Sequence, residues 1–237
     1  MKLSYPFMAG QRLITDVQLK APTGGTLADT RKAAENGDTY MAFLIYLTGS
    51  IDWFKADSGE MVEGKEQVKN VLRVCPWGLA EWMALNSMIL SGAEDEIDLT
   101  FQCPKCLAKH EREEPVKVSE MTMPTSADEP VLAIDLVAPV EFKDARTGEV
   151  IEQVNSLKFR LPTIGDLLKA AGSVGGNNDT RLQYAAWAEA IVAINGIEAT
   201  PQWRASYGSQ IFERACVKDI KAVANGMAAW ALDNTVG

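Results

Sequence analysis

One histidine and four cysteines in 237 residues leave little material for metal or nucleophilic chemistry. Ser-His-Asp, Cys-His and two-histidine metal sites would all compete for His110, the single imidazole. No G-x-S-x-G, no Walker loop ending in Lys-Ser/Thr and no H-E-x-x-H occurs, so the motifs of a hydrolase, a phosphate cradle and a zinc protease are all missing. Residues 172–177 are glycine-rich but follow an apolar helical pattern rather than a strand, and read as a loop. Four irregularly spaced cysteines build no disulfide framework and fit a reducing compartment.

Other absences exclude other functions. At a net charge of -9 the chain lacks the surplus of Lys and Arg that neutralises phosphate, which argues against broad nucleic-acid binding. No apolar run approaches the roughly 20 residues of a membrane span. The longest, residues 41–47, reads as a buried helical segment. The opening MKLSYPFMAGQR has no apolar h-region, so no secretory leader is expected.

What is present is a folded composition, 47% hydrophobic and 23% charged, with chain enough for one large core or two small ones. Its organisation emerges when the chain is compared with itself. Val17-Gln18-Leu19-Lys20-Ala21-Pro22-Thr23 and Leu157-Lys158-Phe159-Arg160-Leu161-Pro162-Thr163 both alternate apolar and polar residues and both stop at Pro-Thr. Proline has no N–H for a ladder and disfavours helix before it, so each strand ends there. A helix is expected after each stop, over residues 27–34 and 164–171. Thr26 with Asp29, and Thr163 with Asp166, have the spacing of a capping pair. Second helices over 40–47 and 181–194 close at Gly49 and Gly196 as left-handed caps. Third helical segments cover 65–88 and 209–232. The offset between the copies is about 140 residues at the strands and about seven more at the glycines, as an insertion in the second copy would produce.

Between the copies the composition changes. Strands are expected over 131–142 and 149–159, joined by the turn-rich Lys143-Asp144-Ala145-Arg146-Thr147-Gly148. The predicted fold class is α+β: two mainly helical modules, 1–92 and 157–237, flank a β-rich insert, 93–156. That insert holds Gln102-Cys103-Pro104-Lys105-Cys106-Leu107-Ala108-Lys109-His110-Glu111. Two thiolates three apart on a tight turn can reach one zinc ion at about 2.3 Å. His110 adds a third ligand, and Cys75, Glu111 or Asp98 could supply the fourth. A structural zinc knuckle, a hairpin that keeps the turn without metal, and a redox pair all stay open; no catalytic residue is assigned. Cys216, amid Ile211, Phe212, Val217 and Ile220, reads as a buried apolar residue. Trp77, Trp82, Trp187 and Trp230 lie in apolar helical patterns and read as core. Trp53, Phe54 and Trp203 follow the helix-ending glycines and read as a partner-binding surface.

This order of strand, Pro-Thr, helix with Asp, helix ending at Gly, apolar helix and then Ile97-Asp98-Leu99-Thr100-Phe101-Gln102-Cys103-Pro104-Lys105-Cys106 resembles the baseplate hub assembly and tail-chaperone group of T4-type contractile-tailed bacteriophages. The resemblance implies a non-enzymatic protein of the host cytoplasm that binds tail hub or tape-measure components. An alternative is a permanent structural component of the baseplate or tail in the virion. Neither role needs nucleic acid or membrane, and structural zinc is the one cofactor in question.

Overall fold

The computed structural model of the chain describes residues 1–94, 96–97, 100–102, 109–111, 116–117, 132–174 and 179–232. They form an α+β fold with two compact units. Met1–Leu72 and Gly78–Thr125 make the first; Arg73–Trp77 and Ser126–Asp233 make the second. In the first, β1 (Lys2–Ala9) and β2 (Arg12–Leu19) precede α1 (Gly24–Glu35) and α2 (Thr39–Ser50). Then come β3 (Ile51–Ala56), β4 (Met61–Glu63), α3 (Lys65–Arg73) and α4 (Trp77–Leu90). The sheet is antiparallel in the order β1-β2-β3-β4. The short strands β5 (Glu96–Ile97), β6 (Thr100–Gln102), β7 (Lys109–Glu111) and β8 (Val116–Lys117) follow, paired β5 with β8 and β6 with β7.

The second unit repeats the order. It runs β9 (Leu132–Lys143), β10 (Val150–Phe159), α5 (Ile164–Ser173), α6 (Asp179–Ala190), β11 (Ile191–Ile194) and β12 (Ile197–Glu198). Its helical part is α7 (Pro201–Trp203), a π-helical turn (Arg204–Gly208), α8 (Ser209–Arg214) and α9 (Val217–Leu232). Its sheet is again antiparallel, β9-β10-β11-β12.

The match extends to irregularities. Lys2 faces Asp16 and Phe7 faces Ile14, so the outer strand carries extra residues between the two pairs. Asp135 faces Ser156 and Val140 faces Val154, the same excess at the same place. Pro6 and Pro139 sit inside these bulges on edge strands, where a missing N–H interrupts no ladder. Leu19 faces Ile51 and Phe159 faces Ile191, each preceded by a register shift. The chain then leaves the strand with equivalent hydrogen bonds: Lys20 N–H donates to Ser50 O at 2.9 Å, and Arg160 N–H to Ala190 O at 3.0 Å. Ile14, Val17 and Leu19 are buried in one unit; Val154, Leu157 and Phe159 are buried in the other. Ile14 and Val17, like Val154 and Leu157, are an odd number of residues apart. A regular strand would point them to opposite faces; all four are buried, so the alternation breaks between them, where the pairing register also shifts. Each full burial stabilises by about 1.5–3 kcal/mol.

Several expectations are corrected. The cap of α1 is Thr23, extended at φ -78°, ψ 160°, whose Oγ1 accepts from Thr26 N–H at 3.2 Å. It is the counterpart of Thr163, and Thr26 with Asp29 forms no cap. Gly49 lies inside α2 rather than ending it, and Gly196 sits at φ 80° in the β11–β12 turn after Asn195 at φ 50°. The two glycines are therefore not equivalent. The offset stays constant from β2/β10 through β3/β11, and no insertion is needed there. Residues 181–194 change from helix to strand at Ile191. The single helix expected over 65–88 breaks at Cys75-Pro76, where proline withholds an N–H, and the one over 209–232 breaks at Ala215-Cys216. The strands expected over 131–142 and 149–159 are β9 and β10; β10 pairs with β9 on one side and β11 on the other, so the expected boundary at 156/157 falls within a strand of the second sheet. Each compact unit carries a four-stranded sheet beside its helices.

Candidate functional site

Cys103 and Cys106 lie outside the described residues. The strands on either side of them pair, Gln102 opposite Lys109 and Phe101 opposite His110; the His110 side chain is likewise outside. Cys75 is fully buried in the second unit. Its Sγ donates to Pro76 O at 3.6 Å, and burial pushes its thiol up, away from the thiolate that zinc binds. As a fourth ligand Cys75 is a poor fit. Among the described residues no three His, Cys, Asp or Glu side chains gather as a metal site.

The expected aromatic surface separates. Phe54 is 0% exposed, faces Val62 across the sheet and meets Phe7 edge-on at 6.3 Å, so it is core. The strand following Gly49 turns this side chain inward, where a loop would have exposed it. Trp53 is half-buried on β3. Trp203 is also half-buried, 5.6 Å from Tyr207 and packed against the second unit's core. Trp82 and Trp187 are buried as expected and Trp77 is half-buried; the Trp230 side chain lies outside the described residues. Cys216 is half-buried, but its Sγ donates to Asp219 Oδ2 at 3.0 Å. Asp219 Oδ1 also accepts from Val137 N–H at 2.8 Å, so this pair anchors β9 to α9.

The first unit contains a cleft of about 180 Å³ at the junction of α1, α2 and α3. Buried Leu44 and half-buried Ile45 supply apolar lining, with the Thr26 and Thr48 side chains beside them; Asp29, Lys65, Glu66 and Lys69 bring charge. Thr48 Oγ1 donates to Leu44 O at 2.7 Å, and Thr26 Oγ1 lies 3.1 Å from Thr23 Oγ1. Lys69 Nζ lies 3.9 Å from Glu66, a weak exposed pair. Lys65 and Asp29 have no hydrogen-bond or ion-pair partner among the described residues. Gly49 also lines the cleft: a Cβ there would stand 2.3 Å from Thr26 Cγ2, so α1 and α2 pack too closely for a side chain.

The corresponding positions of the second unit are bridged. Glu189 stands where Gly49 does and Lys169 where Asp29 does, and Lys169 Nζ donates to Glu189 Oε2 at 2.6 Å. Ala188, counterpart of Thr48, packs against Gly208 of the π-turn, where a Cβ would lie 2.8 Å from the Ala188 methyl. Thr26 is replaced by Asp166. Burial by itself raises the Asp166 carboxyl, but the Arg160 guanidinium, at 2.5 and 2.8 Å, and the Thr163 donors outweigh it and hold the group below the ordinary carboxylate range. In sequence Gly49 has the look of a helix end, which hides the cleft. Its alignment with Glu189 at constant offset is the signal that finds it.

Fold and site together define an α+β protein built from two units of the same ββααββαα order, one with a polar cleft and one with the Lys169–Glu189 ion pair at the corresponding place. No protein-family model, curated protein or solved structure matches the chain. No helix among the described residues is long and apolar enough to cross a membrane.

Proposed function

We propose that the chain is a non-enzymatic assembly protein of a contractile-tailed phage, acting in the host cytoplasm on tail hub or tape-measure components. The duplication carries this reading: two related units on one chain offer two related surfaces, and linked surfaces hold partners more tightly than either alone. The groups whose acidity the fold shifts are engaged in structure. Asp166 caps a helix, Asp144 accepts from Arg146 and Thr147 N–H in a turn, and Cys75 fills a core. Zinc on Cys103, Cys106 and His110 would staple the short strands around them, and metal analysis of purified protein tests that separately.

Cross-linking mass spectrometry in phage-producing cells should join the chain to tail proteins, while purified particles should not contain it at fixed stoichiometry. Fixed stoichiometry in particles would make it a permanent tail component instead. Cross-links to no tail protein would overturn both.

A further inference from the structure

The five residues Arg73–Trp77, which join α3 to α4 in chain order, belong to the second compact unit. There they add one antiparallel bridge, Pro76 opposite Thr163, at the step from β10 into α5. Trp77 N–H donates to Pro162 O at 2.9 Å, and Ile164 N–H donates to Cys75 O at 3.3 Å. The backbones approach closely, since a Cβ on Gly165 would stand 2.7 Å from Arg73 O. Cys75, Pro76 and Ile164 are all buried.

The repeat presents both sides of this bridge a second time and leaves both open. On the receiving side, Pro22, Gly24 and Gly25 correspond to Pro162, Ile164 and Gly165, each set at the step from a strand into a helix capped by threonine. Pro22 O and Gly24 N–H have no partner among the described residues, and Thr23, Gly24 and Gly25 are exposed. A Cβ on Gly25 would meet only Thr23 Oγ1, at 3.8 Å, so a backbone has room to approach. On the giving side, α9 starts at Val217 as α4 starts at Trp77, so Ala215 and Val217 stand where Cys75 and Trp77 do. Ala215 is extended, at φ -62°, ψ 150°, and Val217 is 69% exposed. Ala215 C=O and Val217 N–H have no partner among the described residues. Exposed, unpaired backbone groups of this kind are what strand addition uses. We propose that residues 215–217 of one copy of the chain bridge residues 22–24 of a second copy. Val217 N–H donates to Pro22 O, and Gly24 N–H donates to Ala215 O. The occupant is a second copy because the chain already makes this bridge once, through the same backbone groups on equivalent residues. The contact joins unlike surfaces, so every added copy leaves one of each open until a ring closes.

Sedimentation velocity of the purified full chain over a range of concentrations tests this contact. The wild-type coefficient should rise with concentration. Val217→Pro removes the donor at the first position of α9, where proline suits a helix, and should weaken association about tenfold. Gly25→Ala should weaken it by a similar factor by obstructing the backbone approach. It should nevertheless melt no lower than wild type, because alanine is the better helix former. The two variants have complementary defects: Gly25→Ala keeps 215–217 intact, and Val217→Pro keeps 22–24. Mixed in equal amounts, at a concentration where neither associates alone, they should form a one-to-one dimer and nothing larger. A wild-type chain that stays single at every concentration, variants that associate as wild type does, or a mixture no larger than its parts would overturn the proposal. Only purified chain is used, so the result stands whatever cross-linking to tail proteins shows.

Discussion

Asp166 shows how much structure one carboxylate can organise. It accepts from both Arg160 guanidinium nitrogens, from Thr163 N–H at 2.7 Å and from Thr163 Oγ1 at 2.8 Å. Its folded pKa is lowered, so its stabilisation is fully present above the unfolded carboxylate range and is lost as pH falls through the folded value. Asp166→Asn should cost about 1–2 kcal/mol at pH 7, the lower part of the range for a charged cap because the Arg160 side chain is 34% exposed. In thermal melts the gap between wild type and variant should close as pH drops below about 4. A gap that stayed constant with pH would show that the ionised cap is not its source. Thr163 and Asp166 were legible in the sequence, because a capping box depends on residue type and spacing alone. Arg160 was not, since its pairing depends on how β10 delivers it to the helix start.

At the scale of elements, glycine is used for two unlike reasons, and this misled the sequence reading. Gly196 supplies a positive φ in a hairpin, whereas Gly49 is helical and is needed for space. Gly49→Ala would gain about 1 kcal/mol of helix propensity. The clash with Thr26, buried and tied to the Thr23 cap, should outweigh that gain and leave a net loss of about 1–3 kcal/mol. Thr26→Ala removes the two atoms closest to the new methyl. A double-mutant cycle in denaturant should therefore show the paired variant recovering part of the loss, and strictly additive losses would place the strain elsewhere. Strands β9 and β10 were legible because they alternate over many residues between turn signals. Strand β3 was hidden because it follows α2 with no intervening turn. Where the pairing register shifts along β2 and β10, the buried positions also break the alternation that a period-two reading relies on.

For the whole molecule, the repeat was legible in its punctuation and obscure in its core. Pro-Thr recurs because ending a strand and capping a helix constrain the backbone. Core residues at equivalent places differ in size: Leu44 and Leu47 in one unit, Tyr184 and Trp187 in the other. The second core accordingly gathers aromatics, with Phe212 5.6 Å from Tyr184 and 5.4 Å from Trp187. Two sheets, each closed by its own apolar core, should behave as two cooperative units. Phe54, 0% exposed, and Phe212, 2% exposed, probe one each. Truncation to alanine should cost about 3–5 kcal/mol at either site. By hydrogen exchange of the full chain, Phe54→Ala should speed exchange in peptides from residues 1–72 and leave 132–232 near wild type. Phe212→Ala should do the reverse. If either substitution instead raised exchange equally throughout, the chain would unfold as one unit and the duplication would be one of topology alone.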